Sequence, residues 1–270
     1  MKIDLKFILN RFFLNKQESI IEEFSLVGTP NPKIIIAGNS HRTMLARNQT
    51  NPTNRIDSIA VLLETQGKYI EPNSDYWKKL EDNLNLSTDL VLIYRGNDFM
   101  IDFLVKDDYQ VWLSKNSKIN FEKDYILNRS IVYSRYSNLF EELGLNELID
   151  RFKSKSRKMW LHGTPPPKSD KCVLDNINIE PFFKNLSEIK GIDLELINIS
   201  TRIEIWKIYQ EILMEFANKH GIEFIQMPNE IMLNDTLRDE FSAPDATHYN
   251  EKCGKIILEN ITKVVNGTPI

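Results

Sequence analysis

The chain has 270 residues, 41% hydrophobic and 27% charged, an ordinary globular composition for one large domain or two small ones. A formal net charge of −4 excludes the overall basic footprint of a nucleic-acid-binding protein. Its 2 cysteines, Cys172 and Cys253, are far apart, which excludes a disulfide scaffold and a cysteine-based metal spacing and leads us to expect a reduced, cytoplasmic setting.

Residues 3–24 read as a helix, with Ile3, Phe7, Leu14, Ile21 and Phe24 among its apolar positions. Asn10 and Arg11 split the apolar run and no small-residue cleavage site follows, so the segment is not read as a signal peptide. No stretch of the chain reaches the length of a membrane span. VGTPNP at 27–32 ends the segment, because two prolines and a glycine cannot continue a helix. Residues 1–30 are thus expected to be an N-terminal helical extension, free to dock or to self-associate, and residues 31–270 the main domain.

Strands and helices then alternate. IIIAG (34–38) is a continuous apolar run, the pattern of a strand buried on both faces, and SIAVLLE (58–64) is a second. DYWKKLEDNL (75–84) has helical spacing, and DLVLIYRG (89–96) is a third strand. Helical stretches are expected near 107–115 and 131–149. KSKSRK (153–158) reads as a solvated lead-in to a fourth strand, RKMWLHG (157–163), which three prolines stop. Residues 199–221 form the clearest helix, with Ile205, Ile208, Ile212 and Phe216 at helical spacing and Gly221 as its stop. IEFIQMP (222–228) is a fifth strand and NEKCGKIILENITKVV (250–265) a closing helix. This order predicts a five-stranded parallel sheet with helices on both faces, with ligands gathering at the C-terminal strand ends.

Those ends carry Gly38-Asn39-Ser40-His41, Gly96-Asn97-Asp98, His162-Gly163-Thr164, and, just before the last helix, Asp245-Ala246-Thr247-His248. A serine hydroxyl is a weak nucleophile until a neighbouring base takes its proton, and His248 can be that base. An imidazole needs a partner to fix its tautomer and stabilise its cation, and Asp245 lies on the same short turn. The Ser40 amide at a helix start and the Asn97 side-chain amide can serve as oxyanion donors. The plainer reading makes Ser40 a helix N-cap and Asn97 a turn former. His41, Arg42 and His162 are candidate substrate contacts, Arg42 and Arg95 suiting an anionic sugar or a carboxylate. Asp98 is read as a loop brace, and Trp206, Tyr209 and Phe216 as core.

GNS at 38–40, GND at 96–98 and DATH at 245–248, in that order, resemble the motifs of the SGNH/GDSL hydrolase superfamily. The likeness covers roughly residues 33–265 and includes HGTPPPK (162–168) and the stretch 202–228. It departs at Asn39, where the family has aspartate, and at Gly96-Asn97, where one intervening residue is missing. It implies a flavodoxin-like three-layer α/β/α fold, Ser40 as nucleophile, Asp245 and His248 as its partners, and Gly67 as a third oxyanion donor beside Ser40 and Asn97. The activity it implies is hydrolysis of small, acetyl-like esters on a bacterial glycan or glycolipid, with no metal and no organic cofactor. Two alternatives stay open: a glycan O-acyltransferase using the same three residues, and an inactive carbohydrate-binding module of the same fold. A nucleotide site is disfavoured, since neither the G-x-G-x-x-G spacing nor a P-loop lysine is present.

Overall fold

The computed structural model describes residues 24–64, 74–95, 98–104, 111–112, 125–126, 129–177 and 195–267. In chain order its elements are strands β1 (Phe24–Gly28) and β2 (Ile34–Gly38), helix α1 (Arg42–Thr50), β3 (Ile59–Glu64), α2 (Asp75–Asn83), β4 (Asp89–Ile93) and α3 (Asp98–Asp102). There follow β5 (Val111–Trp112), β6 (Tyr125–Ile126), α4 (Arg129–Glu142), α5 (Leu145–Lys153), β7 (Met159–His162) and α6 (Asp170–Ile177). The last part holds α7 (Ile199–His220), β8 (Glu223–Ile225), the short hairpin β9 (Met232–Leu233) and β10 (Thr236–Leu237), and α8 (Glu251–Val265).

The main sheet has six strands in the order β1-β3-β2-β4-β7-β8. Five of them run parallel, and β1 lies antiparallel on β3 at the edge, pairing Phe24 with Glu64 and Gly28 with Ala60. Counted without β1, the parallel strands follow the 2-1-3-4-5 order of flavodoxin-like sheets, as expected. The sixth strand is a correction. Phe24, expected at the end of a helix, begins β1, because its strand bonds to β3 cover an edge that would otherwise stand open. The rest of the expected helix at 3–23 lies outside the described residues. So do 107–110 and 113–115, while Val111 and Trp112, also expected to be helical, pair as a strand with Tyr125 and Ile126. The helix expected over 131–149 is two helices, α4 and α5, separated at Gly144, which adopts a left-handed φ of 79°.

The alternation of side chains along the strands builds a core on each face of the sheet. On one face Ile35, Ala37, Leu62, Leu90, Leu92 and Leu161 pack under α2, α4, α5 and α7. On the other, Ile34, Ile36, Val61, Val91, Ile93 and Ile225 pack under α1 and α8. These are the three layers. α7 runs the predicted length, from Asn198, whose side chain caps the Ser200 amide, to Gly221, left-handed at φ 59°. Among the described residues no helix is long and apolar enough to cross a membrane.

Candidate active site

The chain order reverses between β2 and β4, the innermost strands of the two windings, and a parallel sheet opens its crevice at such a point, beyond the strand C-termini. β2 ends there on Gly38. Its φ of 137° is one that side-chain-bearing residues rarely adopt, and a Cβ would fall on the Ile93 carbonyl of β4. The Gly38 amide donates to the buried Tyr76 hydroxyl at 2.8 Å, and that hydroxyl donates to the Leu62 carbonyl at 3.0 Å. The turn that follows is tied across to β4: the Asn39 amide donates to the Ile93 carbonyl at 2.9 Å, and the Asn39 Oδ1 accepts from the Arg95 amide at 2.9 Å. Arg95 is held at a left-handed φ of 51° by this bond and by its ion pair with Asp98. Asp98 also accepts from the Tyr209 hydroxyl at 3.1 Å, the bracing role expected of it.

From this turn Ser40 presents its hydroxyl 3.0 Å from the His248 Nε2. The His248 Nδ1 lies 3.2 Å from the Asp245 Oδ2. Serine, imidazole and carboxylate therefore stand in series, at hydrogen-bond distances and partly open to solvent. Asp245 shapes its own turn, its Oδ1 accepting from the amides of Thr247 at 2.8 Å and His248 at 2.6 Å. Burial works to raise the Asp245 pKa, but the His248 side-chain bond, its charge, its backbone amide and the Lys168 ammonium outweigh it and hold the carboxyl well below the usual range.

The two halves of this series, 208 residues apart in the chain, are joined by bonds at their neighbours. The Tyr249 hydroxyl donates to the His41 carbonyl at 2.7 Å, and the Asn48 amide on α1 donates to the Glu251 carbonyl of α8 at 2.8 Å. Asn250 caps α8 by accepting from the Cys253 amide at 3.2 Å, which ends the turn just after His248.

Of the other expected site residues, Gly67, Gly96 and Asn97 lie outside the described residues. Three expected substrate contacts turn inward. Arg42 is 2% exposed, bonded to the Gly38 carbonyl, 3.9 Å from Glu64 and stacked over Tyr76. His162 is 1% exposed, with Nδ1 donating to the Gly163 carbonyl at 2.7 Å, and burial pushes its pKa down to about 4. His41 is buried between His248 and Tyr249, stacking on the tyrosine with ring centroids 5.3 Å apart. Arg42 and His162, expected as substrate contacts, are thus buried here, and the His41 ring backs the His248 ring. The basic run at 153–158 is drawn into ion pairs, Lys155 with Glu81 and Arg157 with Asp89, while Lys153 bonds the His220 carbonyl. Sequence reasoning missed Lys168, whose ammonium reaches the Asp245 turn, and Tyr249. Their signals were position alone: Lys168 ends the proline turn at the same sheet edge, and Tyr249 follows His248.

No family model matches the chain, and no curated protein does. Solved structures of similar arrangement include a GDSL-like lipase from Bacteroides thetaiotaomicron, 12% identical over 87% of this chain and 88% of that one, with a TM-score of 0.46. An acetylxylan esterase from Geobacillus stearothermophilus is 12% identical over 88% and 94%, with a TM-score of 0.41. The periplasmic domain of a lipopolysaccharide acetyltransferase from Salmonella Paratyphi A is 13% identical over 87% and 84%, with a TM-score of 0.46. Likenesses this distant assign no chemistry to the chain, whose own residues define the site.

Proposed function

We propose that this chain is a serine esterase of the SGNH/GDSL type that removes small, acetyl-like acyl groups from a hydroxylated carrier such as a glycan or glycolipid. The observation that carries the reading is the series Ser40 Oγ, His248 Nε2 at 3.0 Å, His248 Nδ1 and Asp245 Oδ2 at 3.2 Å. In this account His248 takes the Ser40 proton as the hydroxyl oxygen attacks the ester carbonyl. The imidazolium, stabilised by the ionised Asp245, gives that proton to the departing alcohol. Water then attacks the acyl carbonyl as His248 removes its proton, and the bond to Ser40 breaks as His248 returns that proton to the serine oxygen, releasing the free acid. The N-terminus of α1, beside Ser40, favours the negative charge that develops on the carbonyl oxygen. The Ser40 amide, Asn97 and Gly67 are assigned to that oxyanion through the motif resemblance, each donor being worth about 3 kcal/mol.

The test is acetate release from an acetylated oligosaccharide and from p-nitrophenyl acetate by the wild-type chain and Ser40→Ala. Release that vanishes with Ser40 supports the proposal, and equal release by both chains contradicts it. The appearance of acetyl groups on an added sugar in place of free acetate would assign the same site to acyl transfer.

A further inference from the structure

We infer that Lys168 is a positioning residue for this site: its ammonium grips the Ala243–Asp245 turn so that the Asp245 carboxylate stays aimed at the His248 ring. The catalytic meaning of this grip rests on the esterase reading above; the grip itself does not.

Lys168 is 1% exposed, an unusual place for a lysine, whose buried charge is tolerated only when oxygens replace its water. Three oxygens of one turn do so. Nζ donates to the Ala243 carbonyl at 2.9 Å and to the Asp245 carbonyl at 2.7 Å, and lies 3.5 Å from the Asp245 Oδ1. This divides the carboxylate in two. Oδ1 takes the Thr247 and His248 amides and faces the lysine, which leaves Oδ2 to receive the imidazole Nδ1. Rotation of the carboxylate would break bonds to three groups at once.

The lysine is itself anchored. Its carbonyl accepts from the Arg202 Nη1 at 3.1 Å, and the neighbouring Pro167 carbonyl accepts from the Leu237 amide at 2.9 Å. Arg202 is 3% exposed and pairs with Asp170, so its charge is met there. Among the described residues, the groups facing Asp245 and His248 include Lys168, Ser40, Thr247 and the His41 ring. Phe99, Met100, Leu104 and Ala246 border one small cavity with Lys168, an apolar surround that strengthens its polar bonds. A lysine serving only to brace a surface turn needs neither this burial nor a catalytic carboxylate as its partner.

The experiment uses the full chain with Lys168→Met, which keeps the stem and removes the donors, and Lys168→Gln, which keeps a neutral donor. The first readout is the downfield proton resonance of the His248 Nδ1–H, identified by its loss in His248→Gln and read without substrate. The second is kcat and KM on p-nitrophenyl acetate. Lys168→Met is expected to lose the downfield proton and to lower kcat roughly 100-fold while KM stays within about twofold, with Lys168→Gln between it and wild type. A Lys168→Met chain that melts earlier but keeps both the proton and kcat overturns the inference. Should that variant not fold, the wild-type Lys168 ammonium nitrogen resonance decides. Slow exchange with water and a shift on Asp245→Asn support the grip; exchange as fast as a surface lysine's refutes it. An inert wild-type chain whose downfield proton still depends on Lys168 defeats the esterase reading alone. An active one indifferent to Lys168→Met defeats this inference alone.

Discussion

The Tyr249 hydroxyl donates to the His41 carbonyl at 2.7 Å, joining the residue after the proposed base to the residue after the proposed nucleophile. The phenol is fully buried and stacks on the His41 ring, which in turn backs His248. Tyr249→Phe keeps the stack and removes this one hydrogen bond, at a cost of about 1 kcal/mol. Urea unfolding should show that loss, and kcat should fall about tenfold through loosened Ser40–His248 geometry, with KM little changed.

Asn39 stands where the SGNH/GDSL motif has aspartate, and its side chain ties the β2 loop to the β4 loop across the crevice. The Oδ1 atom accepts from the Arg95 amide at 2.9 Å. An aspartate offers the same acceptor. Asn39→Asp is therefore expected to keep stability and turnover close to wild type. Asn39→Ala should cost about 1 kcal/mol in denaturant unfolding and a larger share of kcat than Asn39→Asp does.

His162 supplies the pH dependence. Its pKa in the folded chain is pushed down by burial to about 4, below the ordinary value of about 6.5 in an unfolded chain. Between those values the unfolded chain binds a proton that the folded chain refuses, so stability falls as pH drops from about 6.5 towards about 4. From about pH 7 to about pH 5 this one residue should account for roughly 2 kcal/mol of lost stability. Urea unfolding at the two pH values checks it, since His162→Gln should show a smaller loss than wild type over the same interval.

Gly38 tests the nucleophile turn. Gly38→Ala forces a methyl group onto the Ile93 carbonyl at a φ of 137°, so the end of β2 must move. The expected cost is about 2 kcal/mol or more in denaturant unfolding, with labelling of Ser40 by a fluorophosphonate slowed in the fraction that folds.

Much of this was legible in the sequence, for physical reasons that differ by residue. The parallel strands show because a strand buried on both faces must be a continuous apolar run, as at 34–38 and 90–93. α7 shows because its period and its Gly221 stop agree; the Asn198 cap at its start was seen only in the structure. Ser40, Asp245 and His248 show because each sits at a strand end or just before the last helix, where a 2-1-3-4-5 sheet gathers its loops. β1 did not show, since an edge strand is defined by the partner that it pairs with, here residues 60–64. Lys168 did not show because a lysine after three prolines looks solvated until the turn that buries it is placed. The surroundings of Arg42 did not show either: a charge beside the nucleophile reads as a ligand contact, and only the placed first turn of α1 reveals its contacts with Gly38 and Glu64.

The most direct measurement of the central claim is the intact mass and peptide map of the chain after exposure to a fluorophosphonate, for wild type, Ser40→Ala and His248→Ala. The expected result is one phosphonyl group on wild type, carried by Ser40, none on Ser40→Ala, and labelling of His248→Ala slowed by roughly 1,000-fold or more. An unlabelled wild-type chain, or a label on another residue that persists in Ser40→Ala, would contradict it.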